Sequence, residues 1–207
     1  MQNHNIQAIF FDFGGVILRT ADGVDHAAIE AEWGLEAKTL LRCVYAESRW
    51  GEYQIGGCTL DEWNDSILAA MAKRVGERAE ELLRAFQDAP RPLNDDVVAL
   101  IRRLHGHYKL GILSNTIPGM EARLRERLDF VDLFDLIVGS GDIGMAKPDP
   151  GIYLLTAKEA GVAPEACVFT DDRAEHAEAA RGVGMHGFHF TGYEQFVADL
   201  RSVGVEA

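Results

Sequence analysis

Four short clusters along the chain carry side chains able to do chemistry. Asp12 follows the apolar run Ile9-Phe10-Phe11 and leads into Gly14-Gly15-Val16. A carboxylate there either opens a turn or stands as a nucleophile, beside a glycine backbone that an anion can approach closely. Ser114 and Asn115 follow Gly111-Ile112-Leu113. Either one of them caps the helix expected after Pro118, or the Ser114 hydroxyl and nearby backbone donors bind a phosphoryl oxygen. Lys147 opens Lys147-Pro148-Asp149-Pro150, where two prolines keep the backbone extended. Its ammonium is either solvated, the usual fate of lysine, or neutralises an anion among carboxylates. Asp171 and Asp172 are adjacent after Val168-Phe169-Thr170. Such neighbours repel unless a cation compensates, and a Mg²⁺ site takes one or two carboxylates, waters and phosphate oxygens. The alternative is that Asp172 caps the next helix while Asp171 sits in water.

Each cluster needs an element that holds it in place. The pattern predicts strands at Ala8–Phe11 and at 110–113, 136–138, 167–170 and 187–190. Helices are expected over 95–105, after Pro118, after Pro150, over Ala174–Gly182 and at the C-terminal end. Strands alternating with helices imply right-handed crossovers and a mainly parallel sheet, an α/β fold with a Rossmann-like core. Such sheets bind ligands at the carboxyl ends of their strands, near a switch point. All four clusters fall after strands. From about Val24 to Phe86 the pattern is instead helical throughout, with apolar residues at Leu60, Trp63, Ile67 and Met71. Thr59 and Glu62 make a capping box there. This block reads as an insertion after the first strand, a four-helix-bundle cap over 18–91, with a core of 1–17 plus 92–207. Trp50, Tyr53 and Trp63 are expected in the cap interior.

The 207 residues suffice for one α/β domain and a smaller appendage, and the 47% hydrophobic content excludes a disordered chain. The formal net charge of −13 and the lack of a Lys/Arg run argue against a nucleic-acid partner. An acidic chain that binds an anion must confine positive charge to the site, through a metal and one or two basic groups. Cys43, Cys58 and Cys167 are scattered and odd in number, which reads as reduced thiols in a cytoplasmic protein. Met1 to Gln7 has no apolar run fit for a signal peptide, and no stretch is long enough to span a membrane.

In order, strand-D-x-G-G-V, strand-L-S-N, K-P-D-P and strand-D-D resemble the haloacid dehalogenase superfamily across essentially the whole chain. The similar subgroup carries a helical cap between the first and second motifs. Arg49-Trp50-Gly51-Glu52-Tyr53-Gln54-Ile55-Gly56 and Glu178-Ala179-Ala180-Arg181-Gly182-Val183-Gly184-Met185 also look like that subgroup. The resemblance implies a Mg²⁺-dependent hydrolase, a phosphatase of a small phosphorylated metabolite such as a sugar phosphate. Asp12 would attack phosphorus to form an aspartyl-phosphate that water hydrolyses. Asp12, the Gly14 carbonyl and Asp172 would hold Mg²⁺, with Asp171 acting directly or through water. Ser114 and Lys147 would grip the phosphate, Asn115 would help orient it, and Gly14 and Gly15 would line its place.

One position departs from the family pattern. Its phosphatases read D-x-D, and the second Asp moves protons; here that residue is Gly14. General acid–base help is worth on the order of a hundred- to ten-thousand-fold, so such an enzyme is slow, prefers good leaving groups or recruits another acid. Asp22 and Asp25 are candidates. A haloacid dehalogenase, in which Asp12 attacks carbon without a metal, is one alternative, although that branch reads D-x-Y-G-T at the first motif. A binding protein without turnover on the same scaffold is the other. The histidines show no metal-ligand spacing; His176, four residues after Asp172, either reaches the edge of the site or, the preferred reading, lies on a helix surface.

Overall fold

A strand at the centre of a parallel sheet is covered on both faces, so it needs an unbroken apolar run. Ala8–Phe11 (β1) is such a run, and all four of its side chains are buried. In the computed structural model, which describes residues 6–20 and 24–207, β1 is the middle strand of a five-stranded sheet. The others are Lys109–Ser114 (β2), Leu136–Gly139 (β3), Cys167–Asp171 (β4) and His186–His189 (β5). The order is β3-β2-β1-β4-β5 and every pairing is parallel. The chain therefore steps from β1 through β2 to β3 on one side, and through β4 to β5 on the other. The reversal between β1 and β4 opens the crevice in which such sheets place a ligand.

Alternation of side chains along the strands makes two cores. Ile9 and Phe11 join Leu110, Ile112 and Val168 on one face. Ala8 and Phe10 join Leu113, Cys167 and Phe169 on the other. Gly111 has a specific task here: a Cβ on it would lie 2.6 Å from Phe10 Cδ1, so only glycine admits that ring.

The block after β1 is helical, as the pattern predicts. It comprises His26–Glu32 (α1), Thr39–Leu41 (α2) extended by the wider turn Arg42–Ala46, Trp50–Tyr53 (α3), Leu60–Val75 (α4) and Ala79–Asp88 (α5). Leu40, Cys43, Val44, Ile67, Met71, Leu82 and Phe86 form its own core. Trp63 stacks on Tyr53 with ring centroids 4.8 Å apart and leans on Trp50 at 5.5 Å, so these aromatics pack on one another. The Thr59–Glu62 capping box is formed. Leu60 departs from the expected apolar face: it lies in the first turn of α4 and is 49% exposed. At the junction the chain leaves and re-enters the sheet unit side by side, with Arg19 N–H donating to Pro92 O at 3.1 Å and Asn94 N–H to Ile17 O at 2.8 Å.

Helices Asp95–Leu104 (α6), Met120–Arg127 (α7), Ser140–Ile143 (α8), Pro150–Glu159 (α9), Ala174–Gly182 (α10) and Tyr193–Ser202 (α11) complete the chain. Helix α6 turns Val97, Leu100, Ile101 and Leu104 to the first core, the spacing of one helical face. Helix α9 turns Ile152, Tyr153 and Ala157 to the second. Among the described residues no helix is long and apolar enough to cross a membrane. The three cysteines are free.

Candidate active site

Asp12 continues the ladder past β1, its N–H donating to Thr170 O at 2.9 Å. Its Oδ1 accepts from Phe13 N–H at 2.7 Å and lies 3.0 Å from Lys147 Nζ. One oxygen is thus held while the other, Oδ2, has no donor among the described residues. Burial pushes the Asp12 carboxyl above its ordinary value and Asp171 adds to this, with Lys147 pulling the other way.

Beyond Asp12 the chain makes a wide turn over Phe13–Ile17, with Gly14 extended and Gly15 at φ +72°. A Cβ at Gly15 would overlap the Asp172 carboxylate, so glycine is needed for space as well as for its backbone angle. Its N–H already donates to Thr20 O at 2.7 Å. Gly15 therefore offers the site room rather than a free backbone donor.

Lys147 is not a solvated surface lysine. Its side chain is fully buried, and the ammonium sits 3.0 Å from Leu113 O, 2.5 Å from Asp171 Oδ2 and 3.0 Å from Asp12 Oδ1. Asn115 fixes the backbone that carries it: Asn115 Nδ2 donates to Lys147 O at 2.8 Å and Lys147 N–H donates to Asn115 Oδ1 at 2.7 Å. Both ends of the Asn115 side-chain amide are spent on the Lys147 backbone, so that side chain places Lys147. Ser114 ends β2, buried, with no intramolecular partner for its hydroxyl among the described residues. Nor does Ser114 or Asn115 cap helix α7; Asp142 accepts from Gly119 and Met120 N–H there.

The two acidic neighbours have opposite surroundings. Asp171 is wholly buried, and its oxygens accept from Arg173 N–H at 2.9 Å, from Lys147, and from His176 Nδ1 at 3.0 Å to each. Burial alone would raise its pKa, but the His176 hydrogen bond and the Lys147 charge hold it down at about 2. Among the described residues no donor reaches the Asp172 side chain. Burial, then repulsion from Asp12 and Asp171, pushes that carboxyl up to about 6. Asp172 does not cap α10, whose N-cap is Arg173 and which has no side-chain cap hydrogen bond.

His176 belongs to the site, at whose edge the sequence placed it only as the lesser alternative. Expected on a helix surface, it is buried against Asp171. The signal was available: His176, Ala177 and Ala180 share the buried face of α10. Of the candidate acids, Asp25 accepts from Ala28 N–H at 3.1 Å and caps α1, and Asp22 lies outside the described residues.

Oxygens of Asp12, Asp171 and Asp172 come within 4.8 Å of one another. Three carboxylates around one ammonium leave net negative charge in a buried place, and the donors are all oxygen. That set suits a hard divalent cation. A model of haloacid dehalogenase-like hydrolases matches residues 6–184. The chain belongs to this family. Phosphatase MT3486 of Mycobacterium tuberculosis is 31% identical, over 97% of this chain and 96% of that protein. Drimenol cyclase drtB of Aspergillus calidoustus is 28% identical over 96% of this chain, which spans only 36% of drtB. In fold, the haloacid dehalogenase-like chain is similar to the family enzyme bt-2542 of Bacteroides thetaiotaomicron, crystallised with magnesium and inorganic phosphate. That likeness has a TM-score of 0.67 at 22% identity and covers 88% of this chain and 93% of the other.

Proposed function

We propose that this hydrolase is a Mg²⁺-dependent phosphatase of small phosphorylated metabolites, with Asp12 as the nucleophile. The observation that carries the reading is Asp172: a carboxylate without a donor among the described residues, pressed against Asp12 and Asp171. Asp12, Asp172 and the Gly14 carbonyl would hold the ion. Asp171 would act on it through water, since its own oxygens are occupied by protein donors. When bound, Mg²⁺ supplies Lewis acidity and neutralises charge on the transferring group.

The remaining chemistry belongs to side chains. Phe13 N–H and Lys147 hold Asp12 Oδ1, which fixes the carboxylate so that Oδ2 can attack phosphorus. The bond from phosphorus to the ester oxygen breaks, the phosphoryl group rests on Asp12, and water then attacks phosphorus to release phosphate and free the carboxylate. The Ser114 hydroxyl donates to a phosphoryl oxygen, and the ammonium of Lys147 offsets its charge. Gly14 cannot protonate the leaving oxygen, and Asp25 is engaged at the start of α1. Esters with good leaving groups are therefore the favoured substrates. Relatives with phosphatase names support ester hydrolysis, as does a fold neighbour holding magnesium and inorganic phosphate. Metal-free attack on carbon, the dehalogenase alternative, would leave Asp172 uncompensated.

Purified protein assayed on p-nitrophenyl phosphate and a phosphate-ester panel tests the reading. Hydrolysis should require Mg²⁺ and be lost in Asp12→Asn. Mg²⁺-independent halide release from 2-haloacids would overturn it.

A further inference from the structure

We propose that His176 is a positioning residue: it holds the Asp171 carboxylate, and through it the Lys147 ammonium, in place beside Asp12. The turnover part of this inference rests on the phosphatase reading above; the placement of Lys147 does not.

The geometry begins on α9 and α10. Tyr153, wholly buried on α9, donates its hydroxyl to His176 O at 3.0 Å and so ties that turn of α10 to the sheet unit. From there the imidazole reaches Asp171, with Nδ1 3.0 Å from both carboxylate oxygens. An ionised carboxylate only accepts, so Nδ1 carries the proton in this contact. The other ring nitrogen, Nε2, is buried without a hydrogen-bond partner among the described residues, and Glu175 Oε1 stands 3.9 Å away. A buried unpaired nitrogen costs free energy that a hydrocarbon side chain of similar size would not. What offsets it in this ring is the bond to Asp171.

That bond propagates. The three protons of Lys147 match its three acceptors: Leu113 O, Asp171 Oδ2 and Asp12 Oδ1. The shortest is the one to Asp171. Asp171 in turn is oriented by Arg173 N–H, Lys147 and His176. Of these, His176 alone spans both oxygens, and it resists rotation of the carboxylate about its Cβ–Cγ bond. Remove it, and Asp171 keeps a single donor on each oxygen, with less to stop it turning away from Lys147. The ammonium then loses its lateral restraint next to the nucleophile. Partners at this remove from a reacting group typically cost 10- to 100-fold in activity or metal affinity when lost.

Two variants separate positioning from packing. His176→Leu fills the space without a donor, and His176→Asn places an amide N–H where Nδ1 stood. Each is compared with wild type in two measurements: kcat and KM for p-nitrophenyl phosphate with Mg²⁺, and the rate at which acetic anhydride labels Lys147, read by peptide mass spectrometry. The expectation for His176→Leu is a kcat lower by about 10- to 100-fold with KM little changed. Labelling of Lys147 should be faster while that of Lys109 and Lys158 is unchanged. In His176→Asn both readouts should return close to wild type. The inference is overturned if His176→Leu matches wild type, if kcat falls with no change at Lys147, or if the Asn variant is as impaired as the Leu variant. A wild type that hydrolyses no phosphate ester would defeat the phosphatase reading instead, and the labelling comparison would by itself decide the role of His176.

Discussion

Lys147 Nζ stands 3.0 Å from Asp12 Oδ1, and no part of the lysine side chain reaches solvent. The ion pair is shared with Asp171, so one ammonium serves two buried carboxylates. Removing one member of a buried pair leaves the others uncompensated, at about 3–5 kcal/mol. Lys147→Met should therefore unfold at a clearly lower temperature than wild type. Losing the charge beside the nucleophile should also reduce kcat by at least about 100-fold. Thermal melts and steady-state assays of the same preparation check both. A variant with wild-type stability would mean that the pair is not buried in solution.

Gly14 makes the second prediction. With no side chain there, protonation of the leaving oxygen is left to solvent, and the rate should depend steeply on leaving-group pKa. Gly14→Asp should speed alkyl phosphates most, by up to about 100-fold, and p-nitrophenyl phosphate least. The slope of log kcat against leaving-group pKa across a series of esters is the measurement. An equal effect on all esters would show that proton transfer does not limit the reaction.

Asp172 ties stability to pH. Its folded pKa of about 6 lies above the ordinary 3.8, so the folded state binds the extra proton between these values. Without metal, stability from this group is full below about pH 4, falls as pH rises, and is gone above about 6. Asp171 has the opposite sign: held at about 2, it adds stability above about pH 4 that is lost as pH falls through 2. A cation competes with the proton on Asp172, so Mg²⁺ should raise Tm more at about pH 7.5 than at about pH 5. At a hundredfold excess over Kd the gain is about 2.7 kcal/mol, or about 5–10 °C at this chain length. Equal gains at both pH values would remove Asp172 from the metal site.

Much of this site was legible because its residues end strands. Asp12, Ser114 and Asp171 each follow an apolar run, and position at a carboxyl end is a one-dimensional property. The sheet and the helical insertion were legible for the same reason, through period. What stayed hidden depends on direction in space. Asn115 has the composition of a phosphate ligand, but its amide turns to the Lys147 backbone. That the Gly15 N–H is taken by Thr20 O shows only once the chain folds back. His176 reads as surface because the faces of α10 are set by what packs on it, and the alanines beside it carry only a weak apolar signal.

The most direct measurement is a single turnover with acetyl phosphate, quenched in acid and digested for mass spectrometry. In the presence of Mg²⁺ the account predicts a phosphoryl group on Asp12, absent after chelation and absent in Asp12→Asn. Turnover that proceeds with Asp12 unmodified, or that survives Asp12→Asn, would contradict it.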